Sequence, residues 1–390
     1  MTLKLASISK DIERMVTAHR LKESASYLEE ARALLRATDP QALAEKIRSR
    51  SRKFPWLVAV PLNTLAGTFT NPGTPRSFTV VGADGSSIQR DRHSPIRFYV
   101  INTGHAILTY GPHPGAELDS SAGLYFEDHD LFINPEQKTG PIDEDLAMGV
   151  AEMAHLLECT AAVDRPAVAL RDGSLILWAL QEKGRSVQEQ DFYLKRFLDC
   201  LTGLRASKIP VASYISYPGG HDVCNALRFE ICQESPVTCR TCSLGNEERK
   251  KLCQWLGQTY DRELFRNLGP GERTDVFGST SDILRRYGEE HSIDFFYLHV
   301  RGEIARVEIP RWVSADAEML DLVHAVVYDQ CQRSSDVPAY PPTLQEAHEQ
   351  AVISVGDRRL VEEIIERTLA QQGITYTRSA KHRSKRRRGV

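Results

Sequence analysis

Two aspartates, Asp84 and Asp172, stand in the same local setting. Each follows a short run rich in Val and Ala and precedes Gly-Ser, in SFTVVGADGSS and PAVALRDGSLILWAL. Residues 78–83 and 167–171 carry no charge until Arg171, the pattern of strands covered on both faces. A glycine after the aspartate lets the backbone turn and leaves room for an approaching group, and the serine can hydrogen-bond backbone or a phosphate oxygen. Taken singly, each Asp-Gly is an ordinary hairpin signal. Taken together, they place two carboxylates at the ends of buried strands, a donor set suited to a hard divalent cation.

Further candidates lie elsewhere in the chain. Glu152 and Glu158 fall in IDEDLAMGVAEMAHLLECTAAV, whose pattern is helical and which leads into the Asp172 strand. Six helical positions turn through about 240° after full turns, so the two glutamates face different ways and one at most joins the aspartates. In PAYPPTLQEAHEQAVIS the prolines at 341 and 342 suit a helix start, which sets Tyr340 at the cap and His348 two turns in. An imidazole there can ligate a metal or touch a phosphate. A tyrosine before proline also serves simply to pack a helix entry, and a lone histidine is often structural.

The elements that must position these groups read as mixed α/β. Residues 8–50 are helical with a stop at Asp39-Pro40, which predicts a helical hairpin or a partner-facing arm. Strands follow at RFYVINTGHAILTYG and AGLYFEDHDLFI, then the Glu152 helix, the Asp172 strand, a helix around QDFYLKRFLDCLTGLR and a strand at PVASYISYP. Strands first, then helix-strand-helix-strand, is the order of an RNase H-like core. Near the C-terminus IDFFYLHVRGEIARVEIPRW predicts a hairpin turned at Arg301-Gly302, with helices at 315–333, 341–354 and 357–371. Arg301, Arg306 and Arg311 read as solvated strand-face charges, or as the lining of a channel for a polyanion.

Composition bounds the rest. The 390 residues, 41% hydrophobic and 26% charged, suffice for a large core, and no run of about 18 apolar residues or leader-like stretch appears. Eight cysteines are too few and too uneven for a secreted disulfide framework, so a reducing, cytoplasmic setting is expected. Five of them, Cys224, Cys232, Cys239, Cys242 and Cys253, fall close together, with a Cys-x-x-Cys in PVTCRTCSLG. Cys232, Cys239, Cys242 and Cys253 could hold a structural zinc or an iron–sulfur cluster, although the spacing fits no standard pattern. Cys224 and Cys232 also read as core of HDVCNALRFEIC, and Cys159, Cys200 and Cys331 as buried helix residues. The net charge of −3 conceals a tail, RSAKHRSKRRR, with seven Lys or Arg and no acid. Such a tail is expected to be disordered and able to follow a nucleic acid.

The ordered set of Asp84-Gly85-Ser86, a helical glutamate, Asp172-Gly173-Ser174-Leu175, and Tyr340-Pro341 with Leu344, Ala347 and His348 resembles the NurA family of DNA-end-processing nucleases over roughly residues 78 to 354. The resemblance implies an RNase H-like (PIWI-like) mixed sheet flanked by helices and Mn²⁺- or Mg²⁺-dependent cleavage of DNA. It also implies a homodimer and partnership with a HerA-type hexameric DNA translocase in double-strand break end resection. It assigns the acidic ligands to Asp84, Asp172 and a helical glutamate, with Glu152 preferred to Glu158. It puts the family's tyrosine and histidine on Tyr340 and His348, the latter as metal ligand or phosphate contact. The expected organisation is an N-terminal helical arm at 1–55, a nuclease domain at 56–372 with a cysteine-containing insertion near 221–262, and the basic tail at 373–390. The activity expected is that of an exonuclease, with single-strand endonuclease activity besides. The rival is a non-catalytic scaffold of nuclease-like fold that binds DNA ends or a translocase.

Overall fold

The computed structural model describes residues 8–20, 25–50, 56–91, 96–182, 184–232, 242 and 245–373. Cys239 and the basic tail from residue 374 onward lie outside the described residues. The chain divides into two compact units. One comprises Met1–Thr68, Pro218–Leu268 and Thr274–Thr280, and the other comprises Phe69–Tyr217, Gly269–Arg273 and Ser281–Val390.

In the first unit the N-terminal stretch forms helices Ser9–Arg20, Ala25–Ala37 and Pro40–Arg50. The expected stop at Asp39-Pro40 is also a start: the Asp39 carboxylate accepts from the amides of Gln41 (2.9 Å) and Ala42 (3.2 Å), capping the helix that Pro40 opens. Helices Ala25–Ala37 and Pro40–Arg50 pack against Asp222–Ile231, and the former also against Glu247–Leu256. Buried Asp261 caps Asp222–Ile231 by accepting from the amides of Val223 (3.0 Å) and Cys224 (2.8 Å). Cys224 is buried, whereas Cys232, Cys242 and Cys253 are half-buried.

The second unit is built on strands whose order carries the site. From one side they run Ile293–Val300, Glu303–Pro310, Val211–Ile215, Ala167–Asp172, Phe78–Ile88, Tyr99–Tyr110 and Gly115–Tyr125. The Asp84 strand (Phe78–Ile88) pairs parallel with the Asp172 strand and antiparallel with Tyr99–Tyr110; the Asp172 strand pairs parallel with Val211–Ile215. Counted from Phe78, the five strands up to Val211–Ile215 lie in spatial order 3-2-1-4-5 with only the second antiparallel, the mixed sheet of an RNase H-like core. The hairpin at Arg301-Gly302 closes as expected, with Val300 opposite Glu303 and Gly302 at φ +93°.

Two helices clasp the Asp84 strand from opposite faces. Residues alternate across a strand, so Gly82 and Asp84 face one side, and Ala83 and Gly85 the other. Helix Pro342–Ala351, which carries His348, lies on the first side. A Cβ at Gly82 would sit 2.8 Å from the Thr343 carbonyl oxygen, and one at Gly104, opposite Asp84, would sit 2.3 Å from the Ala351 nitrogen. Helix Glu144–Cys159 lies on the second side, where a Cβ at Gly85 would meet Glu152 and Met148. Its Asp143 cap accepts from the amides of Asp145 (3.1 Å) and Leu146 (3.0 Å), and Leu146, Val150, Met153 and Leu156 form its buried stripe. The clasp makes Gly104 a sensitive position. Gly104→Ala must push helix backbone rather than a flexible side-chain tip, so a loss of about 3 kcal/mol is expected, the upper end for overpacking. Urea unfolding midpoints check this, and an unchanged midpoint would contradict the clasp.

Two expectations about particular side chains change. Asp84-Gly85-Ser86 does not end a strand, because pairing with Tyr99–Tyr110 continues to Ile88. Arg306 is not solvated: it is buried, lies 3.5 Å from the centre of the Phe295 ring, and holds Glu308 at 3.0 Å. Arg311 forms a two-pronged pair with Asp294, both contacts at 2.7 Å, and Arg301 donates to the carbonyls of Ser334 and Asp336.

His324 on helix Ala317–Arg333 is wholly buried. Its Nε2 donates to the Gly271 carbonyl (2.8 Å) and its Nδ1 meets no partner. Burial, with the Arg273 guanidinium adding to it, pushes the imidazole down to about 4 from its usual 6.5. The folded protein therefore refuses a proton that the unfolded chain accepts. His324's contribution is complete above the unfolded value and is lost as pH falls from 6.5 toward 4, about 3 kcal/mol in all. Denaturant titrations at pH 7 and pH 4.5 should show a smaller acid loss for His324→Gln than for the parent; equal losses would contradict this.

Candidate active site

Asp84, Asp172, Tyr340 and His348 meet at the edge of the two parallel strands. The register sets Ala83 beside Arg171, so Asp84 and Asp172 follow in step and face the same side. On that side the His348 Nδ1 donates to Asp84 Oδ2 at 2.6 Å, which leaves Nε2 as the outward nitrogen. Asp84 is half-buried, whereas the His348 side chain is 65% exposed. Tyr340 lies beside Asp172 and sets its ring edge-on to Tyr214 at 5.6 Å. Burial first, then the Asp172 carboxylate and Asp84, push the Tyr340 hydroxyl far above its ordinary value, so it remains a protonated donor. Asp172 ends its strand, with Gly173 at φ +74° making the turn; the Gly173 amide donates to Asp172 Oδ1 at 2.8 Å.

Glu152 arrives from the other side. It is 7% exposed, and its Oε2 accepts from Arg171 Nη2 (2.9 Å) and Nε (3.3 Å). A Cβ at Gly85 would lie 2.8 Å from its Oε1, so the missing side chain lets this carboxylate reach the strand next to Asp84. Burial raises the Glu152 carboxyl, Arg171 works against that, and the charges of both Asp84 and Asp172 raise it further. Glu158 goes elsewhere: it is exposed and has Oε2 3.7 Å from His155 Nδ1. The acid that the helix brings toward the aspartates is Glu152.

The surrounding scaffold is fully engaged. Ser174 Oγ donates to Glu308 Oε2 (2.7 Å) and accepts from the Ile176 amide and Trp178 Nε1 (both 3.0 Å), so it holds the turn after Asp172 rather than facing a phosphate. Glu308 also accepts from the Leu175 amide at 3.0 Å. Ser86 Oγ and Asn102 Nδ2 donate to the Ala351 carbonyl, the latter at 2.8 Å, satisfying an end of the His348 helix. Buried Gln330 bonds Thr343 Oγ1 (2.7 Å) and Tyr110 Oη (3.0 Å), tying the start of that helix to the strand beside it.

Sequence reasoning passed over Arg171 and Gly104. The signal for Arg171 was a charge inside an otherwise apolar strand, which calls for a buried partner. Gly104 had no such signal, since only the crossing helix explains it.

The chemistry of the donor set fits a divalent cation. The charges of Asp84 and Asp172 both reach Glu152, whose Oε2 Arg171 holds, and His348 bonds Asp84; oxygen donors with one imidazole suit Mg²⁺ or Mn²⁺.

Residues 78–353 match the family model of the NurA domain. No curated protein matches. Solved structures similar over part of the chain include LC9-RNase H1, a type 1 RNase H with the type 2 active-site motif. It is 12% identical, with 39% of this chain and 69% of that one covered and a TM-score of 0.22. Another is the native prototype foamy virus protease–reverse transcriptase, 11% identical, with 49% and 22% covered and a TM-score of 0.19. Likeness at that level carries no argument, and the fold assignment rests on the strand order. Among the described residues no helix is long and apolar enough to cross a membrane.

Proposed function

The chain belongs to the NurA family of nucleases through residues 78–353, and on that premise we propose that it is a Mn²⁺- or Mg²⁺-dependent deoxyribonuclease that trims DNA ends during double-strand break repair. The observation that carries this reading is convergence: Asp84 and Asp172, 88 positions apart in sequence, come into step on adjacent parallel strands, with His348 bonded to Asp84 and Glu152 packed against Gly85.

Asp84 and Asp172 would hold the cation, with Glu152 completing the acidic set and His348 offering Nε2 to the cation or to a phosphate oxygen. The cation, when bound, supplies charge relief at the scissile phosphate and makes a water nucleophilic at neutral pH. The chain's own part is orientation. The protonated Tyr340 hydroxyl stands beside Asp172. His348 donates from Nδ1 to Asp84 Oδ2 and the Gly173 amide donates to Asp172 Oδ1, so each aspartate has one oxygen held by the chain. Arg171 does the same for Glu152, holding Oε2 and leaving Oε1 beside Gly85. Family membership extends the proposal to a homodimer, to a HerA-type hexameric DNA translocase as partner and to a cytoplasmic setting; the basic tail would follow DNA by counterion release.

Incubation with linear duplex and single-stranded DNA in Mn²⁺, Mg²⁺ or chelator tests the reading. Degradation that needs the cation is the expected result. Binding without degradation in every cation would overturn it in favour of a scaffold.

A further inference from the structure

We propose a second, separate metal site for Zn²⁺ or a similar borderline-soft dication, formed by His105, His155 and Cys159 on the face of the sheet covered by helix Glu144–Cys159. His155 and Cys159 are four residues apart on that helix and so share a face. His105 comes from the strand beneath, on the Ala83 and Gly85 side. The three donor atoms all lie within 4.8 Å of one another. His105 Nδ1 is 3.0 Å from His155 Nε2, which is 3.8 Å from Cys159 Sγ. Tetrahedral zinc, with its ordinary bond lengths, sets two imidazole nitrogens about 3.4 Å apart and a nitrogen and sulfur about 3.6 Å apart. These two spacings need shifts of only a few tenths of an ångström, and the third, between His105 and Cys159, is within 4.8 Å.

The surroundings fit a cation better than a plain histidine pair. Each ring turns its remaining nitrogen toward a carboxylate, His105 Nε2 to Glu117 Oε1 and His155 Nδ1 to Glu158 Oε2, both at 3.7 Å. Carboxylates placed behind ligating imidazoles are how zinc histidines are oriented. His105 is 8% exposed, and its Nε2 is buried with no hydrogen-bond partner. The site borders an open cleft of about 480 Å³ whose charged lining is Glu117, Glu158 and Asp164, with no Lys or Arg. Three protein donors leave a fourth position for water or a swung-in glutamate. Cys159 lies seven residues beyond Glu152, about 10 Å along the helix, so the two sites share no ligand.

Full-length protein stripped with chelator and titrated with Co²⁺ in excess Mg²⁺, which occupies the carboxylate site, reads this out. Wild type should show tetrahedral visible bands and a thiolate-to-cobalt charge-transfer band, both erased by one equivalent of Zn²⁺. Cys159→Ser should remove the charge-transfer band, His105→Gln should weaken Zn²⁺ binding at least tenfold, and Cys253→Ser should change neither. A wild-type titration without a thiolate band overturns the site. So does a band that survives Cys159→Ser and disappears in Cys253→Ser, which would assign the metal to the other cysteines.

Discussion

Asp84→Asn is expected to lower metal-dependent DNA cleavage by about 10³-fold, equivalent to roughly 4 kcal/mol of transition-state stabilisation, while the melting temperature stays near that of the parent. The substitution keeps the shape and an oxygen that can accept from His348 Nδ1, whose 2.6 Å bond fixes the side chain, but removes the charge that would hold a cation. Initial rates at saturating Mn²⁺, measured beside thermal unfolding, separate the two effects. Full activity in a folded variant would remove Asp84 from the site.

Arg171→Met is expected to destabilise the second unit by about 3–5 kcal/mol, because Glu152 would be left buried without its counter-charge. Both side chains are nearly inaccessible, 11% and 9% exposed, and the pair is closed by contacts at 2.9 and 3.3 Å. Burial already raises the Glu152 carboxyl with Arg171 in place, so the lone acid would take up a proton on folding. The double variant Glu152→Met, Arg171→Met should recover much of the stability, since an apolar pair of similar size avoids the desolvation of both ions. It should remain inactive, which separates the pair's role in the fold from the role of Glu152 in the site. Denaturant unfolding of the three variants checks the pattern, and a double variant less stable than Arg171→Met would contradict it.

The succession of strands and helices along the chain and the candidate acidic residues stand out in sequence because they depend on local patterns: apolar runs, turn residues and helical spacing. Asp172-Gly173 reads as a strand end because its glycine makes the turn, at φ +74°. The same triplet at Asp84 misleads, since Gly85 is small for a different reason: a glutamate from a helix some 70 residues later packs against it. Position along the strand cannot reveal that. Arg306 misleads likewise, because alternation along a strand identifies a face but not what covers it, and here Phe295 and Glu308 enclose the guanidinium. The three helices before residue 51 were visible as helices, while their packing on Asp222–Ile231 depends on pairings far apart in the chain. His105 and Cys159 carried no local signal either. Only the register that sets one strand under one helix face brings them together.

The most direct measurement is a crystal structure of the protein soaked in Mn²⁺, with data collected to show the manganese anomalous signal. The expected result is a peak at the carboxylates of Asp84 and Asp172, with His348 still bonded to Asp84. Saturating Mn²⁺ that leaves no peak between those two carboxylates, in protein that still degrades DNA, would contradict it.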